Sequence, residues 1–434
     1  MSSLNKSFYY KVYDVTGKYI TTWHSDVISD PQFRTVIQGG AGQMMVQLNR
    51  PYNMFGEGVD LTLQNRVELW VVDNNNVAND ALPSTAWDKA MWDVDLWDNS
   101  IKSFAKIFTG YVSAYTPILD GQQMYVQVTV LGFVTELSYR ILTDGSGNTI
   151  VTYTNKDPSY VLTDIINKYQ AQGNAHINYG PNSIQTVGNP ITYTFNGLTI
   201  KDCLDKLIQM CPDGWYYAID ANGIIYLRQS NIKADHVITV GKDITYLETQ
   251  KRIENMVNSV YVVGGGNPSL YNMYNRSSSI AAYGLFAEFL KDNKVTDNTT
   301  SDIMAKRILD MYNSPETITV INILDDSGEN SNYGINIESV NVGDTIQIKN
   351  MMYGPSGISY WDSAKWDTDV WDNTLTYTTG SVLVVTSIDY NPDFIQIQAS
   401  SRLPEVSKSI DDINTMLGVL QNSNLPAAPS SRTV

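Results

Sequence analysis

Residues 87–99 and 361–373 are two copies of one segment. The first reads Trp-Asp-Lys-Ala-Met-Trp-Asp-Val-Asp-Leu-Trp-Asp-Asn and the second Trp-Asp-Ser-Ala-Lys-Trp-Asp-Thr-Asp-Val-Trp-Asp-Asn, identical at nine of thirteen positions. Trp87, Trp92 and Trp97 match Trp361, Trp366 and Trp371, six of the nine tryptophans in the chain. Asp88, Asp93, Asp95, Asp98 and Asn99 match Asp362, Asp367, Asp369, Asp372 and Asn373. The flanks correspond too. Upstream, Val67-Glu68-Leu69-Trp70 faces Thr345-Ile346-Gln347-Ile348; downstream, Tyr125-Val126-Gln127-Val128 matches Phe394-Ile395-Gln396-Ile397, after turns at Asp120-Gly121 and Asn391-Pro392-Asp393. A chain that sets one segment between the same flanks twice is expected to carry two copies of one β module. Three such chains would present six similar faces.

A five-residue step between tryptophans matches neither a helix face nor strand alternation, so each Trp-Asp segment is expected to be an extended or turn-rich excursion. Tryptophan brings a large apolar area at low entropic cost and dominates the centres of protein interfaces. The six tryptophans therefore either staple each segment onto its own module or meet a neighbouring subunit. A third reading is calcium, with Asp93, Asp95 and Asp98 or Asp367, Asp369 and Asp372 as oxygen ligands. The glycine and the bidentate glutamate of a standard calcium loop are missing from both copies.

The rest of the chain supports a mainly β fold with an α+β middle region. Its 28 Tyr and 9 Trp, with many Thr, Val, Ile and Asn, favour strands and turns. Alternation begins at Phe8-Tyr9-Tyr10-Lys11-Val12-Tyr13 and returns after a Gly39-Gly40-Ala41-Gly42 turn at Met44-Met45-Val46-Gln47-Leu48. Further strands are expected at 66–72, 106–115 and 124–130, giving a first β-barrel module over 1–147. The period then changes. Val161, Leu162, Ile165, Ile166 and Tyr169 follow an Asp157 cap and Pro158, and Leu204, Leu207 and Met210 follow a Thr199 cap. Strands at 215–219 and 224–228 flank Asp220-Ala221-Asn222-Gly223 as a hairpin. These make an α+β insertion over 148–235. A linking β/α region over 236–315 is expected to hold strands at 237–240 and 257–263 and a helix at 301–312. The second β-barrel module covers 316–404.

Composition excludes several function classes. A net charge of −16 opposes standing contact with nucleic acid or an anionic membrane. It also suits a passage through which DNA slides without sticking. Cys203 and Cys211 are too few for a disulfide framework and are expected to be buried thiols. The chain opens without a cationic-then-apolar leader and has no run of 18 apolar residues, so synthesis in a cytoplasm and no membrane span are expected. His24, His176 and His236 sit in no metal-ligand spacing, and no nucleophile elbow or catalytic cysteine signature occurs. No enzyme activity and no cofactor are expected.

Two barrel modules around a helical and hairpin middle make the chain resemble the tail and baseplate hub family of tailed phages. The stretch from Gly241-Lys242-Asp243-Ile244 to Asn258-Ser259-Val260-Tyr261-Val262-Val263-Gly264-Gly265, then Ser279-Ile280-Ala281-Ala282-Tyr283-Gly284-Leu285, carries the likeness, as do the Trp-Asp segments. The resemblance implies a homotrimer whose six barrels form a pseudo-hexameric ring at the virion tail tip. Such a ring joins a hexameric tail-tube or distal tail protein to a three-fold tip or fibre protein, surrounds the end of the tape-measure protein and later passes DNA. Hubs often carry a long C-terminal extension, whereas little follows residue 405 here. Within 405–434, Ile410, Ile413, Leu417 and Leu420 follow coiled-coil spacing. Two heptads are too short to stand alone, so they would either zip on a trimer axis or pack on their own domain. A flexible Leu425-Pro426-Ala427-Ala428-Pro429 tail follows.

A reading from another class is a carbohydrate- or host-receptor-binding tail protein. The two Trp-Asp segments would then be sugar platforms working with two-site avidity.

Overall fold

The structure, a computed structural model, describes residues 6–24, 26–37, 42–49, 61–77, 102–120, 123–230, 233–240, 243–265, 270–324, 337–349, 382–392 and 394–403. Both Trp-Asp segments, and Ile410, Ile413, Leu417 and Leu420, lie outside the described residues.

Seven strands open the chain: β1 (Lys6–Tyr13), β2 (Tyr19–Trp23), β3 (Gln32–Val36), β4 (Gln43–Leu48), β5 (Arg66–Val77), β6 (Lys102–Asp120) and β7 (Gln123–Gly132). Alternation explains which way they face. In β4, Met44, Val46 and Leu48 are buried while Gln43, Met45 and Gln47 are only partly covered. Neighbours pair antiparallel in the order β2, β1, β5, β6, β7, β4. A Val27–Leu48 bridge, with Ile28 N–H donating to the Gln47 carbonyl at 2.9 Å, ties the segment after β2 back to β4. These six strands form a circuit filled by Tyr10, Val12, Trp23, Leu69 and Val128. Two bulges in β6, at Ile107 opposite Leu69/Trp70 and at Ser113 between Val112 and Ala114, supply the bends such a circuit needs. Gly110 sits where a Cβ would come within 2.3 Å of the Leu131 carbonyl, so only glycine permits that approach.

The middle region follows: α1 (Val134–Ser138), β8 (Ile150–Lys156), α2 (Pro158–Ala171), β9 (Ile191–Asn196), α3 (Ile200–Gln209), β10 (Trp215–Ile219) and β11 (Ile225–Gln229). Asp157 caps α2 by accepting from Ser159 N–H ahead of Pro158, and Thr199 caps α3 by accepting from Asp202 N–H. The apolar stripes of both helices meet in one core with Tyr193, Phe195 and Tyr217.

The remaining elements are β12 (His236–Thr239), β13 (Ile244–Arg252), β14 (Ser259–Gly264), β15 (Tyr271–Asn275), α4 (Ser277–Tyr283), β16 (Ala287–Asp292), α5 (Asn298–Tyr312), β17 (Glu316–Leu324), β18 (Thr345–Lys349), β19 (Leu383–Asn391) and β20 (Phe394–Ser400). The helix expected at 301–312 starts earlier, because Asp297 accepts from Thr300 N–H and sets the cap there. The polar stretch after Gly265 holds β15, α4 and β16, of which β15 and β16 form a small sheet with β14.

A second six-strand circuit runs β13, β17, β20, β19, β18, β12 and returns to β13 through a Val240–Ile244 bridge. β12 and β13 come from the stretch expected only to link modules, yet they complete this circuit. β3 pairs with β4 on one side and β19 on the other, so both circuits belong to one 13-stranded sheet over one continuous core. The fold is mainly β.

Candidate assembly site

The strands that bound the two Trp-Asp segments are placed alike. β5 and β6 are antiparallel neighbours whose ladder ends at Val77–Lys102, and residues 78–101 run between them. β18 and β19 are antiparallel neighbours as well, paired at Thr345–Val384 and Ile346–Leu383, and residues 350–381 run between them. In each case the second strand then turns back into a hairpin partner, β7 or β20.

One face of β5 and β6 carries polar contacts. Glu68 accepts from Trp70 Nε1 at 3.1 Å and from Lys106 at 3.3 Å, with Arg66 at 3.7 Å. Lys11 lies over the Trp70 ring at 4.8 Å. In β18, Ile346 and Ile348 are fully buried, as Val67 and Leu69 are in β5. The circuits also meet through a buried ion pair: Lys6 of β1 donates to Glu338 at 2.6 Å, and Tyr390 of β19 donates to the same carboxylate at 3.0 Å.

Where the circuits and the middle region converge there is a cavity of about 270 Å³. Phe33, Phe108 and Tyr390 form its apolar wall, with the Phe108 and Tyr390 ring centroids 5.2 and 4.7 Å from that of Phe33. The Asp220–Asn222 turn closes one side, held by Thr109 Oγ1 donating to the Ala221 carbonyl at 2.6 Å. The charged groups lining it are engaged elsewhere: Lys106 with Glu68, Glu338 with Lys6, and Asp220 with the N–H groups of Asn222 and Ile224. This is a junction lined for packing, with no base poised beside a nucleophile.

The titratable groups singled out in the sequence are scattered. His24 Nδ1 lies 2.9 Å from the Phe8 carbonyl and its ring stacks on Tyr9. His236 Nε2 lies 3.0 Å from Asp344, and that hydrogen bond raises the imidazole above its ordinary value against the opposing effect of burial. Cys203 and Cys211 are buried and unbridged, and burial pushes both thiols up to about 12, which removes them as nucleophiles. Among the described residues no three His, Cys, Asp or Glu side chains gather to hold a metal ion. Asp93, Asp95, Asp98, Asp367, Asp369 and Asp372, with Trp87, Trp92, Trp97, Trp361, Trp366 and Trp371, lie outside those residues. No helix among the described residues is long and apolar enough to cross a membrane.

One cluster has no sequence signature. Glu136, at the end of β7 in α1, accepts from Tyr111 of β6 at 2.6 Å, Tyr169 of α2 at 2.7 Å and Arg140 at 2.7 Å. His176 Nδ1 stands 3.3 Å from it. Burial alone would raise this carboxyl, but the hydrogen bonds from His176, Tyr111 and Tyr169 hold it below the ordinary carboxylate range. Its members come from four stretches of the chain, at 111, 136–140, 169 and 176, so no single motif announces it. It clamps the middle region onto the first circuit.

Comparison with known proteins agrees with this architecture. A family model described as YQBQ-like matches residues 146–354. The fold is similar to that of a tail protein from Neisseria meningitidis MC58, with a TM-score of 0.54, 9% identity, 91% of this chain and 96% of that one covered. It is similar to a prophage MuSo2 43 kDa tail protein from Shewanella oneidensis, with a TM-score of 0.53, 11% identity and coverages of 90% and 97%. Prophage tail protein gp18 from Listeria monocytogenes EGD-e gives a TM-score of 0.52, 10% identity and coverages of 95% and 99%. No curated protein sequence matches.

Proposed function

Starting from a chain that has the fold of the phage tail proteins, we propose that it is a structural component of a phage or phage-like tail, the hub at the distal end. Three copies bring six strand circuits into a ring that closes the tail tube and adapts its six-fold symmetry to a three-fold tip. One observation carries this reading: two six-strand circuits lie in one sheet, and a Trp-Asp segment joins equivalent antiparallel neighbours in each. Cyclic assembly of a chain with two like modules doubles the apparent symmetry without a second protein.

In this role the ring's neighbours are a hexameric tube or distal tail protein, the end of the tape-measure protein and a tip or fibre protein, with DNA passing in transit. The acidic balance of the chain supports such a passage. The Trp-Asp segments meet the adjacent subunit, and residues 405–434 zip on the three-fold axis. The role is mechanical and needs no cofactor or reaction.

The test is the absolute mass of the purified chain by light scattering, with and without residues 405–434. A trimer that weakens on truncation supports the ring and the axial helix together. A trimer indifferent to truncation keeps the ring and removes the helix. A monomer at high concentration overturns the self-assembling hub, and a glycan array comparing the chain with its Trp92→Ala, Trp366→Ala variant then decides the receptor-binding reading.

A further inference from the structure

The motif at Asn258–Gly265 and Ser279–Leu285 closes on itself. Asn258 is fully buried; its Nδ2 donates to the Gly284 carbonyl at 2.7 Å, and its Oδ1 accepts from Phe286 N–H at 2.8 Å. Its own N–H donates to the Phe286 carbonyl at 2.9 Å. Gly284 takes φ 87° and ψ 179°, a backbone region open essentially to glycine. One side chain thus fixes β16 beside β14 in parallel, a pairing that needs a crossover, here supplied through β15 and α4.

What this construction displays is an apolar sheet face. α5 covers one side of the β15–β14–β16 sheet by packing on Val260 and Val262. The opposite side is exposed over two rows. The register sets Met273, Tyr261 and Phe289 in one row across the three strands and Tyr271, Val263 and Lys291 in the next. Tyr271 is 63% exposed, Met273 51% and Phe289 61%. Exposed aromatic and methionine side chains gathered on a rigid support mark a protein contact.

We infer that this face is the docking site for a second copy of the same chain within the three-fold ring; the inference rests on the trimeric reading above. Two observations select that occupant. The one charged side chain in these two rows is Lys291, and the chain itself, with 45 acidic against 29 basic residues, is an acidic partner for it. The patch is also small: three strands about 4.8 Å apart with two outward residues each give about 200 Å² per copy. A free-standing pair needs about 800 Å² per partner. A contact of this size holds when copies are already brought together at other points, as neighbours in a ring are.

The native thiols are buried, so a maleimide photo-cross-linker labels only an introduced cysteine. The full-length Phe289→Cys chain is labelled with benzophenone maleimide and irradiated, with Tyr160→Cys on α2 as the exposed control. Its mass is measured by light scattering in the same sample. The expected result is a covalent product of twice the chain mass from the Phe289 position, at least fivefold above the Tyr160 control. A trimeric sample without that product overturns this face and leaves the ring standing. A monomeric sample without it overturns both. Doubled product at equal yield from both positions reports random collision and also overturns the face.

Discussion

The two strand circuits share an order but are held shut in different ways. In the first, β5 and β6 pair from Arg66–Tyr111 to Val77–Lys102, and β6 then pairs with β7 from Gly110–Gly132 to the hairpin end. Every strand of that circuit comes from the first 132 residues. The second is assembled from distant pieces: β12 and β13 follow the middle region, while β18 to β20 come more than ninety residues later. Among the described residues β18 meets β19 at Thr345–Val384 and Ile346–Leu383, and it meets β12 as a four-residue parallel ladder. Side chains reinforce that seam. His236 lies against Asp344, and Asp235 accepts from Thr345 N–H and Oγ1. The same strand order can thus be built from one continuous stretch of chain or from distant pieces joined at a seam stitched with polar contacts, and the second kind is open to chemical adjustment.

The comparison breaks if the circuits do not share their core. Trp23→Ala empties a fully buried site in the first circuit and is expected to cost about 4 kcal/mol. Calorimetry should then show one lowered transition for both circuits; a second transition left unmoved would mean that they melt separately. Next in size is the clamp between the middle region and the first circuit. Glu136→Gln removes a hydrogen-bonded, half-buried carboxylate and is expected to cost about 2 kcal/mol at neutral pH. Because the folded carboxyl is held low, its contribution is full above the unfolded value and lost as pH falls through the folded one. The melting difference from wild type should therefore shrink on acidification.

The polar seam of the second circuit should show the opposite sign. His236 is raised in the folded state, so the stability it adds is full below the unfolded value and lost as pH rises through the folded one. His236→Gln is expected to cost about 1 kcal/mol near pH 6 and progressively less above neutrality. A penalty that stays constant with pH would remove the His236–Asp344 pair as a stabilising contact. Smallest of all, Lys251→Ala on the exposed side of β13 should stay within about 0.5 kcal/mol at any pH, since no core packing is lost there.

Local elements were legible wherever a residue's own neighbours decide its conformation. The Asp157-Pro158 start of α2, the Thr199 cap of α3 and the β10–β11 hairpin follow from caps, period and turn chemistry. Alternation marked β1, β4 and β7 for the same reason. β3 and β13 carried no such mark. Gln32-Phe33-Arg34-Thr35-Val36 carries no distinguishing pattern, and its place between two circuits depends on Ser387 to Tyr390, over 350 residues away. The Glu136 cluster was hidden for a related reason: its geometry comes from four segments brought together by folding. The junction cavity likewise exists only once three regions converge.

β3 also has a consequence under load. It lies between β4 and β19, antiparallel to both, with Ser387–Val36 to Tyr390–Phe33 on one flank and Gln32–Met45 to Arg34–Gln43 on the other. A pull directed along those strands loads the backbone hydrogen bonds of each flank side by side, in shear, whereas a pull across them would unzip them one at a time. The two halves of the molecule are therefore stiff toward sliding and weak toward peeling. The direction in which force arrives, as much as its size, decides whether they stay one body.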